Sequence, residues 1–221
     1  MRWSRPRRGW SLLLSGTTPD GTSILLRPLR VEDHHEYTSV RADNRQWLGP
    51  WDATSPVPAS APRTFEDLVD LYQEDALAGR MVPLVIETEG RLVGQINVSN
   101  IVLGSFRSCT VGYWVAQAVA GRGIVPTALA LVSDHVIGDL GLHRIEINIR
   151  PENAASLAVV RKLGFRDEGV RARMLHIDGD WRDHRSFALT TEDLAGRTVM
   201  DRLTHTSQQS RERHTVEGPT D

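Results

Sequence analysis

Between residues 110 and 165 the hydrophobic period switches repeatedly between two and about 3.6, and few arrangements other than strands packed against helices accommodate that. Thr110 to Val115 reads as a strand, with Tyr113 and Trp114 near its end. The loop Gly121-Arg122-Gly123 follows, and then Leu129, Val132, Val136 and Leu140 recur at helical spacing. Pro126 falls in the first turn, where a helix tolerates it, and Gly138 and Gly141 stop the run. His143 to Ile149 alternates, with Ile145, Ile147 and Ile149 on one face and Glu146 and Asn148 on the other. Pro151 ends that strand. Asn153 caps a further helix striped by Leu157, Val160 and Leu163, with Arg161 and Lys162 against its C-terminal dipole and Gly164 at C′.

The flanking segments extend this pattern. Trp10 to Leu14 and Ile24 to Leu26 read as strands about the turn Pro19-Asp20-Gly21. Val31 opens a helical stretch towards Arg45, and a loop rich in Pro, Ala and Ser runs from Gly49 to Pro62. Thr64 with Asp67 three residues on predicts a capped helix, its buried stripe Phe65, Leu68, Leu71 and Tyr72. Val82 to Thr88 and Arg91 to Ile101 form a hairpin about Glu89-Gly90, and Val170 to Ile177 and Trp181 to Leu189 another about Asp178-Gly179-Asp180. The whole predicts an α/β (α+β) layered domain around one mixed sheet.

At 221 residues the chain has room for one domain plus tails. No uncharged apolar run reaches the ~18 residues of a membrane span, and Leu12-Leu13-Leu14 is too short for a secretory core. A single cysteine, Cys109, forms no internal disulfide, which points to the reducing cytoplasm. The net charge of −2 argues against a general nucleic-acid binder. Arg2, Arg5, Arg7 and Arg8, with Trp3 and Trp10, make a basic start that is either a solvated tail or a contact to RNA or a ribosome. From about Gly196 the sequence is polar and aperiodic, so disorder is expected. None of the histidines has metal-ligand spacing to a cysteine or another histidine, and no metal is expected.

A glycine loop between a strand and a helix brings backbone N–H groups close to a phosphate, and the helix N-terminus and Arg122 add positive charge. It is neither a Walker loop nor a dinucleotide fingerprint. Downstream, Arg150-Pro151-Glu152-Asn153 leads through Ala154-Ala155-Ser156 to Val160-Arg161-Lys162-Leu163-Gly164-Phe165. At this distance after a phosphate loop, that arrangement strongly resembles the coenzyme A half-site of the GNAT acyltransferases. Ala120 stands where that family usually has Gln or Arg, and Val125 where it has a small residue. Arg27-Pro28-Leu29, Asn44, Trp47-Leu48-Gly49-Pro50-Trp51, Gly112-Tyr113-Trp114-Val115, Leu142-His143-Arg144-Ile145-Glu146 and Trp181-Arg182-Asp183-His184 make the chain similar to the ribosomal-protein-alanine N-acetyltransferases of the RimJ/RimL type. The resemblance implies a GNAT domain over 23–195 with a mixed, mostly antiparallel sheet. A basic extension with a short strand over 1–22 precedes it, and a disordered tail over 196–221 follows.

The same resemblance implies acetyl-CoA as co-substrate and direct attack by a free amine in a ternary complex. Coenzyme contacts are expected from Trp114 and Val115, from Gly121, Arg122, Gly123, Ile124, Val125 and Thr127, and from Asn148, Asn153, Ser156 and Arg161. Backbone N–H groups near Trp114 to Ala116 would polarise the thioester carbonyl. Many relatives place an acidic tyrosine where this chain has Val160, so Ser156 is the replacement candidate, unless it serves only as an N3 helix residue. Glu146 is the candidate base, or else part of a surface ion pair; His143 and His176 are weaker candidates. Arg161 either pairs with coenzyme phosphate or compensates the helix dipole. Trp47, Trp51 and Tyr113 are expected on the acceptor side, although the first two also suit plain anchoring of their loop.

At pH 7 roughly a tenth of an α-amine is neutral, against well under a thousandth of a lysine amine. A site without a strong base therefore favours a protein N-terminus, such as an Ala or Ser start of a ribosomal protein. Acetylation of a small amine (an antibiotic or a polyamine) and a silent acyl-CoA-binding module are the alternatives on the same fold. The protein is expected to be either a monomer or a homodimer.

Overall fold

The computed structural model describes residues 10–57 and 64–205. Its strands are β1 (Leu14–Thr17), β2 (Ser23–Arg27), β3 (Val82–Thr88), β4 (Arg91–Val102), β5 (Ser108–Val115), β6 (Arg144–Ile149), β7 (Arg166–Ile177) and β8 (Asp180–Thr190). They form one sheet in the order β1-β2-β3-β4-β5-β6-β8-β7. Neighbours are antiparallel except β5 and β6, which run parallel because a helical crossover joins them. That crossover is α4 (Ile124–Asp134), and α5 (Ala154–Lys162) follows β6. On the other side of the chain's centre come α1 (His34–Asp43), α2 (Arg45–Leu48) and α3 (Phe65–Leu77).

One sheet face buries Ile96, Val98, Val111, Ile145 and Phe187 together with Leu129 of α4 and Leu157 of α5. The opposite face packs Leu29, Val85 and Leu92 against Val69 of α3, with Tyr37 of α1 beside them. The Thr64 capping box forms as expected, its hydroxyl accepting from Asp67 N–H at 3.1 Å. The deepest residues of α3 are Val69 and Ala76, and Leu71 of the expected stripe is only half-buried. Arg27, buried beside the second layer, donates to both oxygens of Asp33 at 2.7 and 2.9 Å and to Glu87 at 2.7 Å. The Arg27-Pro28-Leu29 stretch thus ties the start of the helical layer to β2 and β3.

Two expectations are corrected and one, the helical stretch, is met in finer detail. The first strand is Leu14–Thr17 rather than Trp10 to Leu14, and it zips onto β2 as part of the main sheet. The helical stretch from Val31 is a 3₁₀ turn followed by α1 and, after Asn44, by α2. The polar tail is not without structure throughout: residues 199–205 are helical, with Val199 and Leu203 buried. Asp134 at the end of α4 accepts from the Val199 and Met200 N–H groups at 2.6 and 3.1 Å, so a carboxylate supplied by another helix caps this one. Residues 1–9, with their arginines, and 206–221 lie outside the described residues. Among the described residues no helix is long and apolar enough to cross a membrane.

Candidate active site

β5 and β6 pair only at Ser108 to Thr110 and Arg144 to Glu146. Beyond that point the strands part, and Gly112 to Val115 has β4 on one side and an opening on the other. The N-terminal ends of α4 and α5 border this opening, which is a cavity of about 750 Å³. That volume suits a sizeable organic ligand. Ala116 N–H is spent on Val93 C=O at 2.8 Å. Successive N–H groups of a strand point to opposite sides, so Val115 N–H turns into the gap, while those of Trp114 and Ala116 turn to β4; of the groups expected to polarise a carbonyl, Val115 is the one left.

The glycine loop meets the first turn of α4 at this opening. Gly121 and Gly123 adopt φ of 81° and 77°, the left-handed region that glycine enters at little cost. Gly121, Gly123, Ile124 and Val125 line the cavity, as does Ala120. Two of the residues expected at the coenzyme do otherwise. Thr127 is fully buried and donates its hydroxyl to Gly123 C=O at 2.9 Å, bracing the loop from below. Arg122 turns to the β1–β2 corner, donating to Thr22 Oγ1 at 3.2 Å with Asp20 3.9 Å away.

Across the gap, Asn153 caps α5 by accepting from Ser156 N–H at 3.0 Å, and both side chains line the cavity. Val160 is fully buried in the core. Lys162 lines the cavity and Arg161 does not, a correction of one residue, or about 100° of helical phase. Asn148 is also elsewhere: its Oδ1 accepts from the Ser186 hydroxyl at 2.7 Å within the β6–β8 pair. Tyr113 and Val115 face α5 and the core, whereas Trp114 faces the α1–α3 layer.

Glu146 does not reach the cavity. Its carboxylate accepts from Arg144 at 2.8 Å and from Arg171 at 3.0 Å, and Arg144 is shared with Glu168. The expected base is therefore one corner of an ion network on β6 and β7. His143 pairs with Glu192 at 2.9 Å and His176 with Thr54 at 2.7 Å, both outside the cavity wall.

The acceptor-side wall carries Trp47, Trp51 and Asp52. Their loop is clamped: Trp47 Nε1 donates to Val115 C=O at 3.0 Å, Arg150 to Pro50 C=O at 2.7 Å, and Asn44 Oδ1 accepts from Gln117 N–H at 2.8 Å. Asp52 is held by Arg41 at 2.6 Å, and the Arg41 guanidinium lies 5.1 Å from the Trp114 ring centre. Beneath them Gln95, nearly fully buried, accepts from Tyr37 OH at 2.9 Å and Trp114 Nε1 at 3.2 Å. Its amide donates to Tyr72 OH at 3.0 Å and Asn97 at 3.1 Å. Gln95, Asn97, Ser99 and Asp52 are wall residues that sequence reasoning missed. For the first three the signal was present: polar residues at period two against Ile96 and Val98 within one strand.

A splayed parallel pair, a glycine loop at a helix N-terminus and a capped second helix thus enclose one cavity. Residues 23–166 match the family described as Acetyltransferase (GNAT) domain. The chain belongs to the GNAT acetyltransferases. As a GNAT protein it is an N-acetyltransferase, and it is 31% identical over 172 residues to the ribosomal protein uS5-alanine N-acetyltransferase of Escherichia coli, covering 77% of this chain and 89% of that one. The structure of Mycobacterium smegmatis RimJ in complex with CoA-disulfide superposes with a TM-score of 0.79 at 36% identity, covering 88% of this GNAT chain and 93% of that one. Spermidine N(1)-acetyltransferase of Escherichia coli is 25% identical over 169 residues, covering 75% and 84% of the two chains.

Proposed function

We propose that this enzyme transfers the acetyl group of acetyl-CoA to the N-terminal α-amine of a protein, with a ribosomal protein of Ala or Ser start as the acceptor and the cytoplasm as its setting. The observation that carries this is the wall itself: among the described residues none of the expected bases reaches the cavity, and the one carboxylate that does, Asp52, is engaged by Arg41. Such a site suits an amine already partly neutral near pH 7, which an α-amine is and a lysine amine is not. The identities to the uS5-alanine enzyme and to RimJ point the same way.

In this reading Gly121, Gly123 and the first turn of α4 hold the pyrophosphate through backbone N–H groups. Asn153 and Ser156 border the pantetheine arm, and Lys162 supplies a cation at the far end. The co-substrate brings an activated acetyl thioester. Val115 N–H polarises its carbonyl, while Trp47, Trp51 and Trp114 wall the acceptor and Asp52, both of whose oxygens accept from Arg41, orients its amino group through the lone pairs that remain. A polyamine acceptor is the weaker alternative, since the described wall offers a multiply charged cation one partly neutralised carboxylate.

The test is thiol release from acetyl-CoA with a panel of Ala- and Ser-starting peptides, the same peptides blocked at the N-terminus, lysine-only peptides, and spermidine. Turnover confined to free N-termini is expected. Turnover with spermidine alone would overturn the acceptor assignment and leave the coenzyme site standing.

A further inference from the structure

Tyr113 carries a buried hydroxyl with no hydrogen bond of good geometry. It projects from β5 on the α5 side, and it lines the same cavity as Ser156, its polar neighbour across the gap. Burial raises its pKa above the ordinary phenol value, and the nearby Ser156 hydroxyl draws it back. It therefore stays a donor throughout the working pH range. A buried donor whose one neighbour, Ser156, is so poorly aligned with it is costly and uncommon in native proteins. Phe would fill the same space at that position without the cost. In the core at Val160, where resemblance would place an acidic tyrosine, there is no hydroxyl at all.

We propose that Tyr113 is the positioning residue for the leaving sulfur: its hydroxyl donates to Ser156 Oγ, which turns the Ser156 proton towards the sulfur and strengthens it as a donor. This rests on the proposed placing of the thioester in the β5–β6 gap. As transfer proceeds, the amine nitrogen bonds to the acetyl carbon and the carbon–sulfur bond breaks with its electron pair on sulfur. The proton lost by nitrogen passes to water. The thiolate is held by the Ser156 hydroxyl until water protonates it on release, and neither the Ser156 nor the Tyr113 O–H bond is broken. A donor that polarises a donor is stronger than either alone, so a serine and a buried phenol in series take the place of one acidic tyrosine.

The experiment compares wild type, Tyr113→Phe, Ser156→Ala and the double variant in three ways: steady-state kinetics, thermal melting, and ultraviolet titration of the thiol of bound CoA. The charged side chains of the cavity wall, Asp52 and Lys162, are common to all four proteins, so differences report the hydroxyls. Tyr113→Phe is expected to lower kcat about tenfold, the scale of one hydrogen bond to a charged group, with KM for acetyl-CoA unchanged and the melting temperature no lower. The bound thiol should titrate about one pH unit higher than in wild type by the same reckoning. The double variant should fall no further than Ser156→Ala, since one hydroxyl acts through the other. Unchanged kcat and unchanged thiol titration in Tyr113→Phe overturn the proposal, and so does an additive double variant. If Tyr113→Phe does not melt as a folded protein, Ser156→Ala decides: a bound thiol that titrates as in wild type refutes the relay. A wild type that depresses the thiol's titration in this way yet acetylates no free N-terminus would sink the acceptor assignment and leave Tyr113 in place.

Discussion

Gly94 pairs with Val115 at the end of β5 that borders the cavity. A Cβ built on it would lie 2.5 Å from the Trp114 carbonyl oxygen and 3.1 Å from Val115 Cα. Both are backbone atoms, so neither can swing aside. Ordinary contact begins near 3.4 Å, and Gly94→Ala must therefore push the end of β5 outward by close to ~1 Å. Overpacking of this kind costs about 1–3 kcal/mol, which a melting curve reads. The larger consequence falls on Val115 N–H, whose proposed aim at a thioester carbonyl moves with the strand. A misplacement of ~1 Å in a reacting geometry is worth about a hundredfold in rate. Steady-state kinetics of Gly94→Ala with saturating acetyl-CoA should thus show kcat down about a hundredfold in a protein that remains folded at the assay temperature. A folded variant with wild-type kcat would refute the idea that this stretch of β5 backbone serves the reaction.

Other perturbations separate the site from its scaffold. Arg27→Ala leaves Asp33 and Glu87 without the buried cation that binds them and should cost about 3–5 kcal/mol; an unmoved urea midpoint would contradict this. Glu146→Gln should leave the shape of the pH–rate profile intact, since the carboxylate is committed to Arg144 and Arg171; a loss confined to the acid side would restore it as base. Glu168, between Arg144 and Arg166, is depressed to about 2 from an ordinary 4.5. A depressed carboxylate adds stability above its unfolded pKa and loses it as pH falls through the folded one, so the melting temperatures of wild type and Glu168→Gln should converge between pH 4.5 and about 2. With solvent screening the gap above that window is about 1 kcal/mol or less, and a gap that widened on acidification would reverse the sign.

The local signals of the chain were legible, and the pairings between distant segments were not. Asn153 and Thr64 cap their helices because the cap lies within three residues of the N–H it serves. The glycine loop could be read for the same reason. Alternation in β6 correctly put Glu146 on the face opposite the isoleucines, but what met it there was Arg171, supplied by β7. No periodicity within β6 carries that information. The choice between Arg161 and Lys162 turned on helical phase, which a sequence gives only to within a residue. Asp52 was passed over inside an apparently featureless loop, and its role follows from Arg41 on α1, which the fold alone brings near. Residues 199–205 dock through Val199, Met200 and Leu203 and through a cap supplied by Asp134 of α4, and three apolar residues in a polar stretch are too sparse a signal to outweigh their surroundings.

The clamped segment of Trp47 and Trp51 has a bearing on when the enzyme can act. Anchored to β5, to Arg150 and, through Thr54, to His176, it gives the cavity one wall that is tied down at three points. For the protein acceptor proposed above, such a wall would not fold over the incoming chain, which would have to present its end to the cavity. A polypeptide whose leading residues are still free chain would meet that condition. The rate of modification would then be governed by the order of events in the partner's own maturation, with newly made or not yet assembled protein open to the enzyme and the finished particle closed to it.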